Sequence, residues 1–245
     1  MFGPVQAVDS VEDMEVAGIR VRKYESGTRA ARPTLVFFHG GGWVVGSLAS
    51  HDGVARHLCH FGECLVVSVD YRLAPEHRFP AAVEDALAVT EWAAATRPGR
   101  LFVGGDSAGG NLAAVVALKA RERGLQIAFQ MLVYPVLECA ATQRSADYSY
   151  WVDQYLSQSS DALLVDASPL RARDLRDLPP TLLLSCEGDP LLPQAVEYAQ
   201  RLRDAEVRVE HIVYPGLMHG AYRMPGVLPT ARAMLDASAD ALRTA

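Results

Sequence analysis

Three side chains that could together perform acyl transfer stand in the order Ser107, Asp189, His219, each just past a short apolar run. A serine hydroxyl is too weakly acidic to attack a carbonyl unaided. It needs a histidine as general base and a carboxylate that orients the imidazole and stabilises its cation. Ser107 lies in Gly105-Asp106-Ser107-Ala108-Gly109, a G-x-S-x-G pattern between the apolar run Leu101–Val103 and an Ala-rich segment. Strand, sharp turn and helix in that sequence make a nucleophile elbow, which holds the serine in a strained conformation with its Oγ exposed. Asp189 follows the run Thr181–Ser185 in Glu187-Gly188-Asp189-Pro190-Leu191, and His219 follows Arg208–Val213 in Leu217-Met218-His219-Gly220. Asp189 also suits the start of the next helix, since Asp-Pro favours that position, and Glu187 is a second candidate acid.

The other histidines compete poorly with His219. His39 precedes the serine, His77 lies in a proline-flanked loop, and His211 falls inside a strand. His51, His57 and His60 lie on or near one predicted helix, where the i, i+3 pair His57 and His60 reads as solvent-facing rather than as metal ligands, because no third ligand is evident.

A glycine run, Gly40-Gly41-Gly42, follows the apolar stretch Leu35–Phe38 and His39. A dinucleotide fingerprint fails because Val45 stands where its third glycine belongs. A phosphate loop fails because Ser47 stands where its lysine belongs. A tight turn or a set of bare N–H groups for an oxyanion remain.

Residues this far apart must be brought together by a larger frame. The chain has 245 residues, half of them apolar, which is enough for one domain with a sizeable core, residues 1–245. Short β-branched runs alternate with helical segments, as in a mostly parallel sheet covered on both faces. An N-terminal antiparallel hairpin around Gly18 precedes strands at Thr34–Phe38, Cys64–Val69, Leu101–Val103, Ile127–Val133, Thr181–Ser185 and Arg208–Val213, about eight in all. Helices are predicted at Ser50–Phe61, Ala81–Thr96, Ala108–Arg123, Leu191–Asp204 and Leu228–Arg243. Glu138–Leu178 breaks the alternation as a long excursion with scattered aromatics, the kind of segment that covers a site.

A formal charge of −6 argues against nucleic acid and anionic membrane as partners. Four cysteines without metal-ligand spacing, and a start without a basic and apolar leader, point to a cytoplasmic protein with reduced thiols.

The motifs HGGGW at His39–Trp43, DYRLAPEHRFPAAVEDA from Asp70, GDSAGGN from Gly105, DPL at Asp189 and HG at His219 closely resemble those of the hormone-sensitive-lipase-like (bacterial family IV) carboxylesterases. The resemblance runs from about Val11 to the C-terminus. It implies an α/β-hydrolase fold and a serine esterase without cofactor or metal, in which Ser107 is nucleophile, His219 general base and Asp189 orienting acid. It further implies that the N–H groups of Gly41, Gly42 and Ala108 bind the oxyanion, and that Tyr71–Glu76 and Asp85 are scaffolding. Pairing of two copies through the last strand and C-terminal helix also follows from it.

Such enzymes usually carry several dozen helical residues ahead of the first strand, forming half of a cap. Here the hairpin opens near Met1, so the expectation is a partial cap built from 138–178, a more open pocket and short-acyl esters rather than long-chain triglyceride. The same triad also serves amide deacetylases and thioesterases. A non-catalytic ligand-binding role, known in receptors resembling this family, is disfavoured by His219 being in place.

Overall fold

A computed structural model describes residues 3, 5–27, 32–97, 99–141 and 146–245. Its eight strands are β1 (Ser10–Val16), β2 (Ile19–Glu25), β3 (Thr34–Phe38), β4 (Leu65–Val69), β5 (Leu101–Asp106), β6 (Phe129–Val133), β7 (Thr181–Cys186) and β8 (Val209–Tyr214). They form one sheet in the order β1-β2-β4-β3-β5-β6-β7-β8. β1 pairs antiparallel with β2, and β2 antiparallel with β4, while every pairing from β4 to β8 is parallel.

Parallel strands need crossovers, and the helices that supply them bury both faces of the sheet. α1 (Asp52–Phe61) and α6 (Pro229–Thr244) cover one face, where Leu35, Phe37, Leu58, Met131, Leu184 and Leu235 pack together. α2 (Ala81–Thr96), α3 (Ala108–Glu122) and α5 (Leu192–Asp204) cover the other, around Val36, Phe38, Val103, Leu112, Leu183 and Tyr198. β3 shows the consequence of period-two alternation: Leu35 and Phe37 face one layer while Val36 and Phe38 face the other, all fully buried. All four cysteines are buried.

The excursion contains a helix that the sequence pattern does not announce, α4 (Ala146–Tyr155), followed by two short 3₁₀ turns at Ser159–Leu163 and Pro169–Arg171. Residues 142–145 of the excursion lie outside the described residues. The expected solvent-facing histidines need correction. His51 and His57 are buried, each beside a carboxylate from a distant element, Asp106 for His51 and Asp236 of α6 for His57. His60 alone of the three is exposed, hydrogen-bonded to Ser26.

Candidate active site

β5 runs into α3 through a single residue, Ser107, held at φ +56° and ψ −116°. This left-handed conformation costs a residue with a Cβ of order 1–3 kcal/mol and persists only where the surroundings enforce it. Here the Ser107 N–H donates to the Val133 carbonyl at 2.9 Å, and its carbonyl accepts from Asn111 at 3.0 Å and Val136 at 3.2 Å. β3 passes so close that a Cβ on Gly109 would overlap the Phe38 carbonyl, which is why the turn needs glycine there.

The loops after β7 and β8 are laced together by three hydrogen bonds. Glu187 N–H donates to the Tyr214 carbonyl at 3.0 Å, Gly188 N–H to the Leu217 carbonyl at 2.9 Å, and Gly216 N–H to the Glu187 carboxylate at 2.9 Å. That lacing brings Asp189 to His219. Asp189 Oδ2 lies 2.6 Å from His219 Nδ1, and His219 Nε2 lies 2.8 Å from Ser107 Oγ. The same carboxylate uses its other oxygen, Oδ1, to accept the Leu191 N–H at 2.8 Å at the start of α5. The N-cap of α5 is Leu191 rather than Asp189, so the expected helix-cap part of Asp189 is corrected to a hydrogen bond with the Leu191 N–H just ahead of the helix, which fixes the carboxylate that meets the histidine. Glu187, the alternative acid, is exposed and bound to Gly216 instead. The Asp189 side chain is 1% exposed and that of His219 35%, so the imidazole sits at the mouth of the site with its partner behind it. Burial pushes the phenol of Tyr134, whose ring centroid is 4.6 Å from that of His219, well above its ordinary value, with the nearby Asp106 charge acting in the same direction. Tyr134 is thus a neutral wall beside the imidazole.

The glycine loop is braced against the elbow. Gly40 N–H donates to Asp106 Oδ1 at 2.9 Å, and Asp106 in turn faces His51 Nε2 at 3.1 Å. Burial works to raise the Asp106 carboxyl, but the charge and hydrogen bond of His51, the Arg223 charge and the Gly40 N–H outweigh it and hold the group ionised below the usual range. Tyr71 donates its hydroxyl proton to the His39 carbonyl at 2.7 Å and stacks on the His39 ring at 4.3 Å. His39 is fully buried, and burial lowers its pKa to about 4, only partly opposed by the Gly40 carbonyl. It stays neutral at ordinary pH and serves as a brace. Ala74 N–H donates to the Trp43 carbonyl at 2.8 Å, and Asp85 accepts from the Arg72 N–H at 2.8 Å and from its guanidinium. The stretch from Tyr71 to Glu76 therefore supports the loop, in line with its expected scaffolding part.

Gly41 and Gly42 have φ +131° and +59°. Their N–H groups, and that of Ala108 at the first position of α3, make no hydrogen bond to another described residue. A serine paired to a histidine can attack a carbonyl, and a bare N–H such as that of Ala108, the next residue, can stabilise the negative charge that develops on its oxygen.

Sequence reasoning did not find the Asp106–His51 pair, Tyr134 beside His219, or the packing of the aromatic residues of α4 on the glycine loop. Each depends on contacts between distant segments, and no spacing signals them. Among the described residues no helix is long and apolar enough to cross a membrane.

A family model described as "alpha/beta hydrolase fold" matches residues 35–223. The chain is 40% identical to the carboxylic ester hydrolase LipN of Mycobacterium tuberculosis, over 90% of this chain and 66% of that protein, just under two thirds of its length. It is 36% identical to the esterase LipI of the same organism, over 98% of this chain and 82% of that one. Among solved structures, a hyperthermophilic esterase from the archaeon Pyrobaculum calidifontis superposes with a TM-score of 0.94 at 38% identity, covering 98% of this chain and 87% of that one.

Proposed function

The chain belongs to the hormone-sensitive-lipase-like (bacterial family IV) branch of the α/β-hydrolase fold, and we propose that it is a serine carboxylesterase acting on short-acyl esters. The observation that carries the proposal is the continuous hydrogen-bonded line from Ser107 Oγ through His219 to Asp189, at 2.8 and 2.6 Å.

In this reading Ser107 Oγ attacks the ester carbonyl carbon while His219 Nε2 takes the hydroxyl proton. The carbonyl oxygen becomes an oxyanion and accepts from the N–H groups of Gly41, Gly42 and Ala108. Donors fixed before the reaction stabilise the oxyanion without reorganisation as charge develops. Collapse of the tetrahedral species breaks the carbon–alkoxide bond, and the imidazolium returns its proton to the leaving alcohol. Water then gives a proton to His219 and attacks the acyl-enzyme, which releases the acid and restores Ser107. Asp189 holds the imidazole with Nδ1–H toward itself and stabilises the cation formed in both halves.

The segment 138–178 acts as a partial cap, supported by α4 standing on the glycine loop. Two copies pair through β8 and α6, supported by β8 lying at the sheet edge with Val213 42% exposed. The enzyme works in the cytoplasm, a placement supported by all four cysteines being free thiols. Steady-state hydrolysis of p-nitrophenyl butyrate, compared with the matching anilide and thioester, tests the bond type. Ester turnover far exceeding the other two supports the proposal, and preference for amide or thioester contradicts it.

A further inference from the structure

The segment that leaves β6 reaches each residue of the hydrogen-bonded line, directly or through one strand. Val133 accepts the Ser107 N–H at 2.9 Å and Val136 N–H donates to the Ser107 carbonyl at 3.2 Å, so residues 133–136 grip the serine backbone at both ends. Between them, Tyr134 N–H donates to the Leu184 carbonyl at 2.6 Å, which ties the segment to β7, the strand that leads to Asp189. The Tyr134 ring then lies against the His219 imidazole, with centroids 4.6 Å apart and planes at 51°. It reaches there from a backbone at φ +34°, a region that a residue with a Cβ occupies only where its surroundings enforce it. The ring is held in turn, since Tyr134 is buried and the buried Tyr222 ring stands perpendicular to it at 6.4 Å.

Resting on the esterase reading, we infer that Tyr134 is a positioning residue for His219, the contact that keeps the imidazole aimed at the reacting oxygens throughout the cycle. The bond to Asp189 fixes Nδ1 but leaves the ring free to pivot about that point. The bond from Nε2 to Ser107 Oγ is given up as Oγ joins the carbonyl carbon and its proton passes to Nε2, so it cannot hold the ring through the step. The His219 side chain is 35% exposed, and much of its surface is unsupported. The contact with Tyr134 persists, because no bond made or broken in the reaction involves that ring. Since the same segment grips Ser107, it sets both partners of the proton transfer in one frame. The Tyr134 hydroxyl has no hydrogen-bond partner among the described residues, so the ring rather than the phenol is what His219 leans on.

The test compares Tyr134→Leu, which keeps apolar bulk without a plane, with Tyr134→Phe, which keeps the ring, and repeats Tyr134→Leu in a His219→Ala background. Circular dichroism refers the rates to folded protein. The readouts are kcat and KM on one short ester and the rate at which a fluorophosphonate labels Ser107. A misplacement of about 1 Å can cost a hundredfold in rate, so Tyr134→Leu should lower kcat and labelling roughly tenfold to a hundredfold, with KM within about threefold, and Tyr134→Phe should rescue both. Without His219 there is no imidazole to place, and Tyr134→Leu should then cost nothing further. A Tyr134→Leu enzyme that matches the wild type, a loss confined to KM, a loss shared by Tyr134→Phe, or the same loss in the His219→Ala background overturns the inference. A wild type that is labelled but hydrolyses no ester contradicts the esterase reading, and the labelling rates still decide the part of Tyr134. A wild type neither labelled nor active overturns both. Should Tyr134→Leu not fold, a crystal structure of the phosphonylated wild type decides: an imidazole still against the Tyr134 ring supports the inference, and one turned off it overturns it.

Discussion

The Tyr155 ring lies flat on that of Trp43, and Trp43 holds a left-handed backbone at φ +59° immediately after Gly42. A non-glycine residue in that region is strained, and the stack, with the Ala74 N–H on the Trp43 carbonyl, keeps it there. Tyr155→Ala should cost about 3–5 kcal/mol of stability, as aromatic truncations in cores do, and should lower kcat. Tyr155→Phe keeps the stack, and the Tyr155 hydroxyl has no hydrogen-bond partner among the described residues. It should be at least as stable as the wild type. Urea denaturation of the two variants measures both effects.

Gly42→Ala introduces a Cβ that meets Trp151 at 2.7 Å on a backbone at φ +59°. Relief requires Trp151 or the loop to move, and a loop shift carries with it the Gly42 N–H, the proposed oxyanion donor. Losing one such donor typically lowers kcat by about a hundredfold to a thousandfold. KM should change far less, and circular dichroism should show the fold intact.

Much of this site was legible because its parts sit at the ends of regular elements. β3 (Thr34–Phe38) and α2 (Ala81–Thr96) fall at the expected residues, and the order Ser107, Asp189, His219 follows from positions just past three strands. α4 was not legible, since Ala146–Tyr155 carries aromatic and polar residues without a clear stripe, and its seat on Gly42 is made by the tertiary fold. The burial of His51 and His57 was missed for the same reason. Their partners, Asp106 and Asp236, are 55 and 179 positions away (106 − 51 and 236 − 57).

Asp189→Asn keeps an oxygen for the Leu191 N–H and removes the negative charge that would stabilise the His219 cation. A neutral amide there also favours the wrong imidazole tautomer, so kcat should fall by roughly a thousandfold to ten-thousandfold. Glu187→Gln, two residues away and bound to Gly216, should stay within about threefold of wild type, since it touches neither His219 nor Ser107. Steady-state kinetics on one short ester separates the two carboxylates.

Stability should fall as pH drops from about 6.5 to 4. Burial lowers His39 and His57 from 6.5 to about 4, with the Arg232 charge adding to the effect at His57. Between those values the unfolded chain binds a proton at each histidine that the folded chain does not. The stability these neutral imidazoles contribute is complete above pH 6.5 and lost as pH falls toward 4. Denaturation midpoints measured every half pH unit should fall across this window, and His57→Phe should make the fall shallower.

The most direct test is covalent. Treating the enzyme with diethyl p-nitrophenyl phosphate and mapping the label by peptide mass spectrometry should find one phosphoryl group per chain on Ser107, with ester hydrolysis lost in proportion to labelling and no labelling in Ser107→Ala. Label on another residue, or a folded Ser107→Ala variant that keeps most of its hydrolysis, would contradict the role of Ser107 as nucleophile.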